Sequence, residues 1–223
     1  HTLSAATIYV WTNSPTDGPG TAWTNAFHTI QAAVDAAASN DTVLVTNGVY
    51  DTGGRVVYGT SINRVAIDKA ITVRSVNGPD VTVIQGQGPD EATRCVYLGT
   101  NAELAGFTLT NGYTGMYSGG DTSVWSGGGI YCENGSVVSN CFISGNHAAN
   151  FGGGAYGGAL FNCTLSGNNS PNQGGGAWAS TLFDCVLTGN YASALGGGAY
   201  ASTLHRCTLS GNFVSFTGGG VSG

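Results

Sequence analysis

The segment Cys163–Cys207, CTLSGNNSPNQGGGAWASTLFDCVLTGNYASALGGGAYASTLHRC, states one pattern twice and begins it a third time. Its cysteines, Cys163, Cys185 and Cys207, stand 22 residues apart, and the same step leads back to Cys141. Asn146, Asn168, Asn190 and Asn212 keep that period, as do Leu160, Leu182 and Leu204. A chain that repeats at a fixed short period is a solenoid or a radial array, because each unit buries its apolar face only against its neighbours. A propeller blade takes about 40 residues, nearly twice this repeat. Short β runs separated by Gly and Asn corners instead fit one coil of a parallel β-helix, so the expected fold class is all-β.

Strand alternation places the side chains. In Cys163-Thr164-Leu165-Ser166, Cys and Leu face inward, and Thr and Ser face outward. Equivalent side chains on successive coils then stack about 4.8 Å apart. Cys141, Cys163, Cys185 and Cys207 form a ladder of small buried thiols, with Phe107 in the same slot one coil earlier. Side chains that point the same way are poorly placed for disulfides, and the paired spacings of a zinc site are missing. Cys95 and Cys132 lie outside the ladder and have no assigned partner. The four asparagines make an amide ladder at a corner, where left-handed backbone is expected. Triple glycines beginning at Gly127, Gly152, Gly174, Gly196 and Gly218 stack where the chain bends or coils approach closely. None is followed by the Lys-Ser/Thr of a phosphate-binding loop.

Two further rows bear on function. Tyr97, Tyr131, Tyr156, Trp178 and Tyr200 run up the helix, read first as packing and second as a binding row for sugar rings or a protein. Outward hydroxyls at Thr108, Thr110, Ser144, Thr164, Ser166, Thr188, Thr208 and Ser210 make a flat array of the kind that suits ice. Phe142 and Val186 interrupt it.

Composition narrows the classes. Only 8% of the 223 residues are charged, with 38 glycines, 6 Lys and Arg, 12 Asp and Glu, and a net charge of −6. Six scattered cations make no basic stripe, so nucleic acid is not an expected partner. No apolar run reaches the roughly 18 to 20 residues of a spanning helix. Abundant uncharged polar residues suit a secreted or cell-surface β protein. The opening His1–Thr7 has neither the basic start nor the apolar core of a leader, so the chain reads as a mature form or one made without a leader.

The first half is less regular, and the whole reads as one domain. Residues 1–50 are an amino-terminal cap and first coil, 51–135 irregular coils, and 136–223 regular repeats. NAFHTIQAAVDAAAS puts Phe27, Ile30, Val34 and Ala37 on one face of a helix, with Asn25 as its cap and His28 on it. This helix covers the exposed edge and open interior of the first coil. Strands follow at DTVLVTNGVY, RVAID, ITVRSVNG, VTVIQG, TRCVYLG and GFTLTNG, and Tyr113–Ser126 is an extra segment that projects as a loop.

IYVWTNSPTDGPGTAWTNAFHTIQAAVDAAASNDTVLVTNGVY (Ile8–Tyr50) resembles the amino-terminal cap of secreted bacterial β-helix proteins of the pectin-lyase-like superfamily. The CTLSGN…GGGAY repeats resemble those of polymorphic outer-membrane proteins and related autotransporter-type adhesins. The resemblance implies a right-handed parallel β-helix, an extracellular location, and adhesion or surface structure. The pectin-lyase-like superfamily also contains polysaccharide lyases and hydrolases.

Enzymes of that kind work through grouped carboxylates, and the regular half offers few. From Ser136 onward Asp184 is the sole acid and Arg206 the sole Arg or Lys, in equivalent slots of adjacent coils, as for a surface ion pair. A lone carboxylate cannot serve as both acid and base of glycoside hydrolysis. Asp68 and Lys69 beside Arg64 and Arg74 form the alternative cluster. His147 and His205 fill different slots and make no metal pair, so no catalytic residue, cofactor or metal is expected. The expected function is a non-enzymatic extracellular structural or adhesive β-helix, possible partners being a glycan or cell-surface ligand. Self-association is expected through an open carboxy-terminal edge, where GGGVSG stops in mid-repeat, and the amino-terminal HTLSAATIYV. The alternatives are a polysaccharide lyase or glycoside hydrolase, and a glycan- or ice-binding module.

Overall fold

A computed structural model describes residues 5–116, 119–215 and 219–223. The chain winds as a right-handed parallel β-helix. Each coil contributes one strand to each of three long sheets. Sheet A has eight strands, from Thr7–Val10 to Thr203–His205; sheet B has seven, from Gly48–Tyr50 to Thr208–Ser210; sheet C has eight, from Arg55–Val56 to Val221–Ser222. A short sheet D joins Asn169–Ser170, Tyr191–Ala192 and Phe213–Val214.

The period seen in the sequence is the register of the sheets. Leu160 lies opposite Leu182 and Leu182 opposite Leu204, while Leu165, Leu187 and Leu209 pair in sheet B. Leu160, Leu165, Leu182 and Leu187 are fully buried, each side chain contributing about 1.5–3 kcal/mol by leaving water. Ala155, Ala177 and Ala199 supply the inward side of sheet C, where the coil is narrow.

Left-handed backbone falls at four places in each regular coil, none of them the asparagine ladder: the first glycine of the triple run, Ala179 or Ala201 after the aromatic, and the residues before the cysteine and before the asparagine. Asn140, Asn162, Asp184 and Arg206, each preceding a ladder cysteine, have φ of 51°, 52°, 54° and 53°. Gly145, Gly167, Gly189 and Gly211, each preceding a ladder asparagine, have φ of 64°, 60°, 61° and 59°. A glycine takes the strained conformation without penalty, which frees the following asparagine to turn its amide inward. The middle glycines of the triple runs serve close approach instead: a Cβ on Gly175 would lie 2.2 Å from the Tyr191 carbonyl oxygen. Gly218 lies outside the described residues.

The amino-terminal helix, α1, spans Ile30–Ala36 and buries Ile30, Ala33 and Val34. Its cap is Thr29, whose side chain accepts from the Ala32 amide. Asn25 instead closes a single 3-10 turn, accepting from the Ala22 amide, and His28 precedes the helix, bonded to the Ser14 carbonyl. The Gln31 side chain accepts from the Ala66 amide and donates to the Ala66 carbonyl, standing in for a neighbouring strand at the edge of sheet C. Lys69 Nζ donates to the carbonyls of Val34, Asp35 and Ala37 and closes the other end of α1.

The insertion does not simply project. A single helical turn, α2 (Thr122–Trp125), folds back over sheet C and buries Ser123 and Val124. Beneath it lies Arg94, fully buried, which donates to the carbonyls of Ser123, Ser126 and Gly127 and to Asn63 Oδ1. Arg94 also sits under the Tyr131 ring, 5.3 Å from its centre. Burial pulls this guanidinium down to about 10, still well above neutrality, so it is a charged peg satisfied by backbone dipoles.

Candidate binding face

The asparagines form a continuous hydrogen-bonded row. Asn146 Nδ2 donates to Asn168 Oδ1 (3.0 Å), Asn168 Nδ2 to Asn190 Oδ1 (2.9 Å) and Asn190 Nδ2 to Asn212 Oδ1 (2.9 Å). Each amide nitrogen donates once more, to the carbonyl of Leu109, Ile143 or Leu165, and each Oδ1 also accepts a backbone amide from the preceding coil. Asn146, Asn168 and Asn190 are buried, so this row is spent inside the wall.

The cysteines are equally internal. Cys141, Cys163 and Cys185 are buried, Cys207 is half-exposed, and all six thiols of the chain are free. Phe107 donates its amide to Cys141 Sγ (3.5 Å) and Cys163 donates its amide to Cys185 Sγ (3.4 Å). Contact with a neighbouring thiol and burial hold Cys163 and Cys185 well above the ordinary thiol range. Cys95 donates to the Thr110 carbonyl and Asn146 Oδ1, while Cys132 lies against the close turn at Gly158. Burial pushes Cys95 and Cys132 each up to about 12, so neither is a poised nucleophile, whereas at Cys141 burial is outweighed by hydrogen bonds from Cys163 and the Phe107 amide, which hold it below the ordinary thiol value.

The aromatic row lies on sheet C with ring faces turned to one another. Tyr97 and Tyr131 stack at 6.1 Å, Tyr131 and Tyr156 at 4.6 Å, Tyr156 and Trp178 at 4.7 Å, and Trp178 pairs in register with Tyr200. Phe151 also stacks on Trp178, ring centres 5.0 Å apart. A sugar ring packs on an aromatic face, and both faces of Tyr131 and Tyr156 are turned to other rings. Sequence reasoning missed a second stack on sheet A, Phe161 on Phe183 (4.8 Å) and Phe183 on His205 (4.6 Å). Its signal was the 22-residue spacing of the three positions.

Charges are sparse, and among the described residues they form three ion pairs, two at Arg55 and one at Arg206. Arg206 forms two hydrogen bonds to Asp184, 2.7 and 2.6 Å, on the exposed surface and holds that carboxyl below its ordinary range. The cluster expected at Asp68, Lys69, Arg64 and Arg74 does not form. Asp68 pairs with Arg55, which also holds Asp35 at 3.2 Å; Lys69 caps α1; Arg64 bonds the carbonyls of Gly53 and Gln85. Alternation sends these neighbours to different faces of the strand and its corner. Glu133 accepts from Tyr58 (2.6 Å) and Tyr97 (3.3 Å), which ties the loop before sheet C to the aromatic row.

What remains outward and regular is sheet B. One row reads Val49, Val83, Thr108, Phe142, Thr164, Val186, Thr208 and the other Gln85, Thr110, Ser144, Ser166, Thr188, Ser210, each paired in register. No charged residue occurs in either row. Val49, Phe142 and Val186 are exposed, and Ser210 Oγ donates to Thr188 Oγ1 at 3.1 Å. The apolar interruptions are in phase with the hydroxyls, so the face is a flat lattice with a strand repeat of about 4.8 Å.

Among the described residues no group of three or more His, Cys, Asp or Glu is placed to hold a metal ion, and no helix is long and apolar enough to cross a membrane. Solved structures share the fold. A pectin methylesterase bound to a hexasaccharide superposes with a TM-score of 0.56 at 13% identity, over 96% of this chain and 68% of that one. The carrot pectin methylesterase gives 0.57 at 15%, over 95% and 65%, and a rhamnogalacturonan lyase 0.54 at 14%, over 98% and 63%. This chain therefore spans about two thirds of the length of these pectin-lyase-like β-helices. No curated protein matches it. The family model described as protein of unknown function DUF1565 matches residues 14–222, and the chain belongs to that family.

Proposed function

We propose that this chain is a non-enzymatic, extracellular β-helix with a structural and adhesive role, and that sheet B is its adhesive face. The observation that carries the reading is the in-register, charge-free surface of that sheet, which presents a hydroxyl on every coil from Thr110 to Ser210 beside a row in which apolar and hydroxyl residues alternate. A surface that repeats along one axis matches a partner that also repeats, such as a neutral polysaccharide, because every coil then makes the same contact and weak contacts add up. The uncharged composition suits such a partner and disfavours long-range steering. The aromatic row and the two internal ladders serve the rod, giving it stiffness along its length.

The test is retention on insoluble neutral polysaccharides, cellulose and chitin, measured by depletion from solution. Thr164→Lys with Thr188→Lys places two charges in the middle of the face while leaving the interior intact. Retention of the parent chain and loss in the variant at unchanged melting temperature is expected; equal retention contradicts the assignment. In the same reading copies join end to end through the last strands and the amino-terminal segment, whose residues 1–4 lie outside the described part. Electron micrographs showing only short monodisperse rods over a wide concentration range would remove this element.

A second reading, a polysaccharide-acting enzyme, draws on the fold shared with pectin-active proteins and on Asp35 and Asp68, two carboxylates held by Arg55. Release of reducing ends or methanol from a pectin panel by the parent chain, and its loss in Asp68→Asn, would establish it in place of the first.

A further inference from the structure

Four sulfurs stacked in phase inside the wall offer a chemistry that one buried thiol does not. Cys141, Cys163, Cys185 and Cys207 each stand one residue before a strand of sheet B, and the residues that follow them, Phe142, Thr164, Val186 and Thr208, pair in register. Each thiol donates to the carbonyl two residues before it: Ser139, Phe161 and Phe183 at 3.3 Å, and His205 at 3.5 Å. Those of Cys163, Cys185 and Cys207 also reach the carbonyls of Val138, Leu160 and Leu182 on the preceding coil, at 3.8, 3.5 and 3.5 Å. The same contacts recur on every coil, so the four side chains point the same way and their sulfurs form a column with the strand repeat of about 4.8 Å. The Phe107 amide closes the column at one end, and half-exposed Cys207 opens it at the other.

A metal–thiolate bond is about 2.3 Å long, so an ion in line with two sulfurs needs them about 4.6 Å apart, close to the strand repeat. Inward side chains stand roughly perpendicular to the sheet, so an ion lying along the rod axis between two sulfurs meets each at nearly a right angle to its side chain, where a sulfur lone pair lies. Linear binding by two thiolates suits soft, closed-shell monovalent ions such as copper(I) and silver(I). Zinc takes four donors around one point, and among the described residues no group of three or more His, Cys, Asp or Glu is placed to supply them. Contact with neighbouring thiols and burial disfavour a bare thiolate at Cys163 and Cys185, but a coordinated thiol gives up its proton to the charge of the metal. Each monovalent ion that enters displaces one thiol proton to water. Three ions then leave one proton on four sulfurs and add no net charge to the interior, which avoids the cost of a buried unpaired charge.

We propose that the cysteine ladder binds soft monovalent metal ions, one held in line between each adjacent pair of thiols: Cys141 with Cys163, Cys163 with Cys185, and Cys185 with Cys207. The site is separate from sheet B and independent of adhesion there. Native mass spectrometry of the whole chain, loaded with silver(I) without oxygen and desalted, tests it by counting ions. Because Cys163 belongs to two pairs and each end of the ladder to one, Cys163→Ala is expected to lose two ions, and Cys141→Ala and Cys207→Ala one each. Cys95→Ala and Cys132→Ala, outside the column, are expected to lose none. One proton should be released per ion, and zinc(II) should not survive desalting. Loss of one ion from every ladder variant alike means independent thiols and overturns the proposal, as does a parent chain that retains no silver. Should Cys163→Ala fail to fold, X-ray absorption of the silver-loaded parent decides: two sulfur neighbours per ion uphold linear binding, and one or three reject it.

Discussion

At the scale of single residues the asparagine ladder is the most exposed to test. Removing the amide in Asn168→Ala takes their side-chain partner from the Ile143 carbonyl and the Asn146 amide inside the wall and leaves Asn146 Nδ2 with the Leu109 carbonyl alone. Each buried unpaired group costs about 1–3 kcal/mol, so denaturant unfolding should show a loss of about 3 kcal/mol or more. The thiols give a count: in the native state a thiol reagent should modify Cys207 rapidly and the other five only on unfolding. His147, half-buried and stacked on Tyr113 at 4.6 Å, is held below its ordinary value chiefly by burial. The unfolded chain therefore takes up this proton first as the pH falls. Stability contributed by neutral His147 is complete above about 6.5 and is lost as the pH falls from there through the folded-state value. His147→Tyr should flatten that part of a stability-against-pH curve, and an unchanged slope would contradict the assignment. The position of the amides was readable from spacing, but their backbone was not. Left-handed φ passed to the preceding glycines because a buried amide must point inward to reach both neighbours.

At the scale of elements, the corners separate two uses of glycine. Gly167 has φ of 60° and open space around a would-be Cβ, so Gly167→Ala carries backbone strain alone, about 1–2 kcal/mol. Gly175→Ala drives a methyl into the carbonyls of Tyr191 and Gly197, and should cost more than about 4 kcal/mol or prevent folding. Comparable melting of the two variants would show that coil contact at the triple glycines is misassigned. The regular strands were legible because inward positions repeat in phase with the coil. The cap was legible as a helix but not in its boundary: Asn25, read as its cap, closes a separate 3-10 turn, and Thr29 caps the helix by accepting the Ala32 amide. The insertion hid its purpose. Arg94 lies on the wholly buried strand Thr93–Leu98, and nothing local tells that a turn 28 residues later folds over it and supplies its acceptors.

At the scale of the whole molecule, a solenoid is a one-dimensional stack in which each coil is stabilised by the next. The proposed adhesive face and the stiffness of the rod both depend on that stacking, since a phase error would scatter the hydroxyl lattice and cut the ladders at once. The face itself was visible in sequence as Thr and Ser at alternating positions, but Phe142 and Val186 read as interruptions. Only the register shows them in line with Val49 and Val83. Excision of one coil tests the stacking most directly. Deleting Thr164–Cys185 joins Cys163 to Val186 and removes 22 residues, which leaves every ladder in phase. Deleting Thr164–Leu182 removes nearly as much chain but shifts inward side chains outward. Thermal unfolding followed by circular dichroism should show the first variant folded, with a single cooperative transition somewhat below the parent, and the second without one. Loss of folding in the first, or equal folding in both, would contradict the account.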